Sequence, residues 1–505
     1  MQIILAGYNL DASLIEQARS RAENPEAFTP ETIAVAYARI SRDPSPVTEL
    51  REKSINDIEA ARRSARSIVF DMGHQSVAEH AAFNFDILDI SRLCVESLQW
   101  HRLCSYTEKS QRYQELGEDF VEPAELEGED LTLFREILSG QFAVYREAYG
   151  ILLDHFRQKH PDMLESKRDS KVVEGYAKED ARYVTGLATK AQLGFTASGR
   201  NLEYVIRSLR ANPLKEARDL GEEFYRQAGA VAPSLILLTD PVEYEKEFGR
   251  PLVEDFFTRT HSHTEAIIDE IVQRYRDTPD ASESPFPSSG GVKLIETSRD
   301  PDHTTLQAII HAHSREPAES CARLARRLMD EGDGAERVVR EFLRFSNPWE
   351  AATREFELAH FTFEVVLSAA CFGQMKRHRM TTQLLQGYEP SLGYTYPPSV
   401  IEAGLKDSFE RIYDRTSEAF TQLKVHHPHA AEYVLTNGHR RRMILRADAR
   451  ELYHISRLRE DAHAQWDIRE VAGDMLELAR RTAPLTLMLA YGKDVFEKKK
   501  SDLFT

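Results

Sequence analysis

The sequence predicts an α/β chain in which one strand-and-helix unit occurs twice in tandem. The first observation is an echo: Gln374-Met-Lys-Arg-His-Arg379 repeats, more weakly, Ser97-Leu-Gln-Trp-His-Arg102. Each follows an apolar run with a Phe-x-Phe, Phe83-Asn-Phe85 and Phe361-Thr-Phe363. The second Phe lies 17 residues before the closing Arg in one copy and 16 in the other. A Ser- or Thr-containing turn and a tyrosine-bearing segment come next, Ser105 to Tyr113 and Thr382 to Tyr394. The second observation is a separate register match. Helical periodicity from Thr29 to Ser41 closes in Ser41-Arg42-Asp43-Pro44, and that from Thr304 to Ser314 in Ser314-Arg315-Glu316-Pro317, a proline supplying each stop. The third is the opening of each copy, Met1-Gln-Ile-Ile-Leu-Ala6 and Val292-Lys-Leu-Ile295, which read as short strands.

A length of 505 residues suggests about three domains at ~150 residues each, but internal repeats outrank that prior. The expected division is a first copy over 1–239, a connector over 240–290 and a second copy over 291–505. Hydrophobic residues make up 41% and charged residues 29%, a globular composition with no apolar run long enough to span a membrane and no signal-peptide pattern. A net charge of −17 argues against a general nucleic-acid binder, although arginine clusters can still hold a phosphate. Cys94, Cys104, Cys321 and Cys371 show no framework spacing, so the chain reads as reduced and cytoplasmic. A nucleophilic Cys104 is weighed against a buried thiol, the simpler reading.

In chain order, residues 52–71 read as one amphipathic helix. Gly73-His-Gln-Ser-Val-Ala-Glu-His80 then starts a new element, with Ser76 and Glu79 spaced as an N-terminal capping box. His74, Glu79 and His80 lack evident metal-ligand geometry, so no metal is expected. Helices are expected over 130–160 and, in the second copy, 406–425. Each copy closes with two more, 188–208 and 215–228 in the first, 441–458 and 462–481 in the second. The connector holds a helix-like section near 262–276 and a tail, Asp277 to Gly291, of linker composition.

On a helix, Gln374, Arg377 and His378 would share one face, a set able to grip a nucleobase or phosphate, with Arg379 pointing away. A solvated basic helix end has the same spacing. Arg450 and His454 form another i, i+4 pair, followed by Arg459 and His463, which the helix dipole alone also explains. Glu108, Ser110 and Arg112 alternate; if extended they face one way, as a phosphate or oxyanion cradle or as a solvated loop. No GxGxxG or P-loop is present.

Both copies resemble the flavin-dependent thymidylate synthase family, whose signature is R-H-R-x-x-S followed closely by E-x-S-x-R-Y. The segment Arg459-Glu-Asp-Ala-His-Ala-Gln-Trp-Asp-Ile-Arg469 resembles the family's Arg-…-His-Ala-Gln-Trp-Glu-Ile run, and Gly73 to His80 its flavin-side motif. The resemblance spans nearly the whole chain outside 240–290. The copies depart from it in opposite ways. The first has Trp100 for the leading arginine and Ser97 for the glutamine, but keeps His101, Arg102, Ser105, Glu108, Ser110, Arg112, Tyr113, Arg182 and Arg200. It has Ser198 in place of an asparagine, and Arg210 falls one residue beyond the family spacing. The second keeps Gln374, Arg377, His378, Arg379, Arg450, His454, Arg459, His463 and Gln465. It has Gly393 where the loop arginine belongs and Glu432 at the place of Arg182. Ala352, Arg354 and Leu358 replace most of the His/Ser/His set, leaving Glu357.

The resemblance implies a small mixed sheet wrapped by helices in each copy. It also implies sites shared between subunits of a homotetramer, so that a homodimer of this chain would form a pseudo-tetramer with two composite sites. The implied reaction is reductive methylation of dUMP to dTMP with FAD, NADPH and methylene-tetrahydrofolate. Arg112 and Arg182 would hold the phosphate, with Ser110, Gln374 and Glu108 at the nucleotide and Arg459 beside the pyrimidine. Arg377, His378, Arg379, Arg450 and His454 would position the flavin, with Ser76, Glu79, Asp448 and His463 on its side. Modification of another pyrimidine nucleotide, or flavin and nucleotide binding without turnover, are the alternatives.

Overall fold

A computed structural model describes residues 9–40, 43–236, 239, 242, 245–246, 249, 264, 267–274 and 291–504. The strand expected at Met1–Ala6 and most of the 240–290 connector lie outside the described residues. The chain forms two compact units. One comprises Met1–Lys109, Val121–Glu125 and Lys190–Ser282; the other comprises Ser110–Phe120, Leu126–Thr189 and Glu283–Thr505. The second unit therefore contains a long piece of the first sequence copy.

In the first unit, strands β1 (Ala82–Ser91), β2 (Ser105–Glu108) and β3 (Lys190–Ser198) form a sheet in the order β1-β3-β2. Both pairings are antiparallel, with Phe85 opposite Phe195 in one and Tyr106 opposite Phe195 in the other. One face is apolar because alternate residues Ala191, Leu193, Phe195 and Ala197 point inward. Phe85, Phe195 and Phe224 close over it with ring centroids 4.7–6.0 Å apart. Burying such a phenylalanine stabilises the fold by ~2 kcal/mol.

Among the described residues, the second unit repeats this plan with one more strand. Strands β4 (Gly291–Thr297), β5 (His360–Ser368), β6 (Thr382–Tyr388) and β7 (Arg440–Asp448) run in the order β4-β5-β7-β6, again antiparallel. The core lies between this sheet and the helix Trp466–Thr482, around Phe361, Phe363, Met443, Leu445 and Met475. The α/β class holds, and among the described residues every strand pair is antiparallel.

The helices expected over 188–208 and 441–458 are each half strand. β3 precedes the helix Gly199–Arg210, and β7 precedes the helix Ala449–Ile455. The reason is the period-two burial of Leu193, Phe195 and Ala197 and of Met443, Leu445 and Ala447, which a helical reading cannot bury on one side. The single helix expected over 52–71 is also interrupted. Val47–Asn56 stops at Asp57, whose side chain accepts from the Ala60 amide and starts Ile58–Arg66. Expected helices at 130–160, 215–228, 406–425 and 462–481 appear as Gly128–Lys159, Lys215–Val231, Lys406–Lys424 and Trp466–Thr482.

Within the second unit, the two sequence copies are bonded backbone to backbone. Gly438 N donates to Tyr183 O (2.8 Å), Asn437 N to Thr185 O (3.0 Å), Leu187 N to Leu435 O (2.7 Å) and Ala188 N to Tyr433 O (3.0 Å). Beside this seam, Gln141 on Gly128–Lys159 donates to Thr416 Oγ1 and to Val434 O. Buried backbone groups need such partners, and each copy supplies them to the other.

Candidate functional site

The site is built at the end of the short helix Ala369–Met375, which Ser368 caps by accepting from the Cys371 amide. The helix stops at Met375, so Arg377 and His378 lie in the turn that follows. This overturns the one-face reading of Gln374, Arg377 and His378. Gln374 and His378 are buried, at 6% and 2% exposure, whereas Arg377 and Arg379 are exposed. A backbone that leaves the helix no longer repeats every 3.6 residues.

Arg459 meets this turn from the other side. After Ala449–Ile455 the backbone widens into a π turn over Ser456–Glu460. Buried Arg457 ties that turn down, donating from Nη1 to the carbonyls of Leu489 and Tyr491 and stacking over Phe496 at 4.0 Å. Arg459 Nε then donates to His378 Nε2 (2.9 Å), and Nη2 to the Gln374 carbonyl (3.3 Å). A guanidinium only donates, so His378 Nε2 is unprotonated and its proton sits on Nδ1, donated to Glu451 Oε1 at 3.1 Å. Burial, then Arg459 and Arg377, push His378 down to about 3, so the imidazole is neutral. Burial lifts Glu451 to about 7.

Arg459 has no carboxylate partner among the described residues. Burial first, then the like charge of Arg377, with Arg112 adding to it, lowers it to about 10. Among the described residues, Arg459 thus keeps a positive charge with no carboxylate beside it in a half-buried place, which suits an anion or a ring that gains negative charge.

Arg112 comes from the first sequence copy but belongs to the same unit. β2 ends at Glu108, so Glu108, Ser110 and Arg112 do not alternate along one strand; Ser110 Oγ instead accepts from the Arg112 amide (3.2 Å) and shapes a turn. Arg112 Nε pairs with the Glu179 carboxylate, and buried Arg182 donates to the Glu179 carbonyl at 3.3 Å. Gln374 is held from behind. Its Nε2 donates to Gln465 Oε1 (2.7 Å), Gln465 Nε2 to Tyr183 Oη (2.5 Å), and Tyr183 Oη to Asp467 Oδ2 (2.8 Å).

Other expected site residues lie further out. Arg450 pairs with Glu357 at 2.5 Å, and exposed His454 meets His378 edge to face at 5.6 Å. Asp448 caps Ala449–Ile455 by accepting from the Glu451 amide, which commits one carboxylate oxygen to the helix end. His463 is exposed and bonded to Asp461 at 2.7 Å. His378, Glu451 and His454 place potential ligand atoms within 4.8 Å of one another, but both nitrogens of His378 are already engaged. Glu108, Ser76 and Glu79 belong to the first unit. There Glu108 accepts from Gln99 (3.2 Å), and exposed Glu79 pairs with Arg200 (2.6 Å). The capping box is overturned: the short 3-10 helix Gln75–His80 starts after His74 without a side-chain cap, because Ser76 lies inside it.

Sequence reasoning missed Glu451, Asp180, Tyr183 and Asp467. The only signal for Tyr183 is its recurrence in Ala181-Arg-Tyr-Val184 and Ala431-Glu-Tyr-Val434. All four cysteines, Cys104 included, are buried free thiols. Among the described residues no helix is long and apolar enough to cross a membrane.

The family model described as thymidylate synthase complementing protein matches residues 26–234 and 293–485. A UPF0159 protein of Chlamydia muridarum is 23% identical over 442 residues, 83% of this chain and 78% of the relative. A flavin-dependent thymidylate synthase of Clostridium tetani is 28% identical over 218 residues, covering 42% of this chain and 83% of that protein. Among solved structures, a UMP/dUMP methylase, PolB, of Streptomyces cacaoi bound with 5-Br dUMP aligns at a TM-score of 0.34 and 19% identity. That alignment covers 40% of this chain and 96% of the other.

Proposed function

The chain belongs to the thymidylate synthase complementing protein family, the flavin-dependent thymidylate synthases, and from that premise we propose that it reductively methylates dUMP to dTMP with FAD, NADPH and methylene-tetrahydrofolate. The observation that carries this reading is the half-buried Arg459, oriented by a neutral histidine, without a carboxylate partner among the described residues, and within electrostatic reach of Arg377 and Arg112.

In this reading Arg112 and Arg182 hold the nucleotide phosphate, and Ser110 and Gln374 place the base. Arg459 offsets negative charge developing on the pyrimidine, where a fixed cation costs no reorganisation during the reaction. His378 keeps Arg459 in place through Nε2 and is itself fixed by Glu451. The exposed side chains of Arg377, Arg379 and His454, with Arg450, make a donor set that fits a phosphate-bearing flavin. When bound, FAD supplies the electrons that reduce the transferred carbon. One FAD per chain is expected, because only the second copy keeps the Arg377-His-Arg379 set together with Arg450 and His454. The homodimeric pseudo-tetramer and a cytoplasmic location belong to the same proposal.

The test is flavin titration followed by release of C5 tritium from labelled dUMP with NADPH and methylene-tetrahydrofolate present. Flavin binding with tritium release supports the reading. Flavin and dUMP binding without release moves the function to another pyrimidine nucleotide or to binding alone, and no flavin affinity overturns it.

A further inference from the structure

A directional chain of hydrogen bonds stands behind Gln374. Its far end is Asp467 Oδ2, which accepts from both Tyr183 Oη (2.8 Å) and Ser368 Oγ (2.5 Å). An oxygen that takes two hydroxyl protons is the acceptor end. Tyr183 therefore spends its single proton there and can only accept from Gln465 Nε2. Burial and the Asp467 charge push the Tyr183 phenol well above its ordinary range, so that proton stays on. With its NH2 committed to Tyr183, Gln465 turns its oxygen to Gln374, which must answer with its own NH2. Among the described residues, Gln374 Oε1 receives no hydrogen bond. An isolated glutamine amide turns over freely. Here the polarity of one carboxylate, passed along three side chains, fixes which end is exposed to a ligand.

We propose that Tyr183 and Gln465 are positioning residues that hold Gln374 with its carboxamide oxygen toward the base, so that the site selects a pyrimidine carrying a proton on N3 over one carrying a lone pair there. This rests on the proposed function only in taking Gln374 to be the base contact. Uracil donates at N3 and meets an acceptor. Cytosine accepts at N3 and would set two lone pairs against each other, leaving both groups unpaired in a buried place. Tyr183 belongs to the first sequence copy and Gln374, Gln465 and Asp467 to the second, so discrimination depends on both.

The experiment is equilibrium dialysis of labelled dUMP and dCMP against the FAD-loaded full chain, comparing wild type with Tyr183→Phe and Gln465→Met. Wild type should prefer dUMP by at least about tenfold, the scale of one mismatched buried hydrogen bond. In Tyr183→Phe the hydroxyl that dictates the Gln465 amide is gone, Gln374 can turn either end outward, and the preference should fall to within about threefold. Gln465→Met should do the same and carries the test if the first variant does not fold. A merely structural role would weaken both nucleotides by one common factor and leave their ratio unchanged. Retention of the wild-type ratio in a folded variant overturns the inference while leaving the proposed function standing, as does a wild type that binds both nucleotides equally. A wild type that binds neither nucleotide overturns the proposed function, and this inference with it.

Discussion

Asp180 offers a stability test with a worked sign. Its carboxylate is buried between Ser399, whose Oγ donates to Oδ2 at 2.5 Å, and Trp466, whose Nε1 donates to Oδ1 at 2.9 Å. Burial is the largest influence and lifts the group from 3.8 to about 7; Glu179 adds to the rise, while the two hydrogen bonds and Arg182 oppose it. A folded pKa above the unfolded one means that the native state binds the proton more tightly. The resulting stability is fully present below the unfolded value and is lost as pH rises from about 4 to about 7. A displacement of about 3 pH units corresponds to an upper bound of about 4 kcal/mol above pH 7. Asp180→Asn keeps an acceptor for Trp466 and a partner for Ser399 but never ionises. Relative to wild type, its gain should be about 1–2 kcal/mol at pH 5 and about 4 kcal/mol at pH 8.5. The readout is the difference in melting temperature between variant and wild type across that range, expected to widen by roughly 5 °C. Parallel profiles, or a variant less stable at every pH, would refute the claim that this carboxylate is held against its charge.

Three further outcomes follow from the geometry. Arg459→Ala should lower dUMP turnover by about 10²–10³-fold, as for loss of one oxyanion donor, while FAD stays bound; loss of flavin together with melting temperature would show that Arg459 only supports the fold. Gly186 lies in the seam between the copies, where an added Cβ would come within 2.7 Å of Gln141 Oε1 and Leu138 Cδ1. Gly186→Ala should therefore cost about 1–3 kcal/mol by denaturant unfolding, and an unchanged midpoint would show that the seam yields. The native protein should resist thiol reagents and expose all four cysteines only on unfolding. Each is buried, and burial pushes the Cys94 and Cys371 thiols well above their ordinary range; rapid native labelling would contradict this.

What could be read in the sequence was whatever repeats locally. Gln374 to Arg379, Arg450, His454 and Arg459 stand out as a motif, and the long helices follow from their apolar period. The faces were harder to read, because they depend on where a helix stops. Termination at Met375 buries His378 and exposes Arg377, and the π turn after Ile455 departs from regular α-helical spacing, so the distance in sequence from the Arg450 and His454 pair does not give the direction of Arg459. β3 and β7 were hidden because each strand runs straight into a helix, and the combined apolar content suits a helix if the alternation is ignored. Tyr183 was beyond local reading altogether. Its side-chain partners Gln465 and Asp467 lie 282 and 284 residues away, and no periodicity links positions that far apart.

The seam between 183–188 and 433–438 has a consequence for how this protein can change and where it can work. Two identical subunits meeting on a two-fold axis must accept every substitution twice, so neither face can specialise. Here the two faces are different stretches of one chain, and Tyr183 can reach Asp467 without any demand that a mirror-image contact be kept. Covalent linkage also removes the second-order step: the two faces meet at an effective concentration set by the chain and not by the solution. That joint should therefore persist at dilutions where the equivalent contact between separate subunits would come apart.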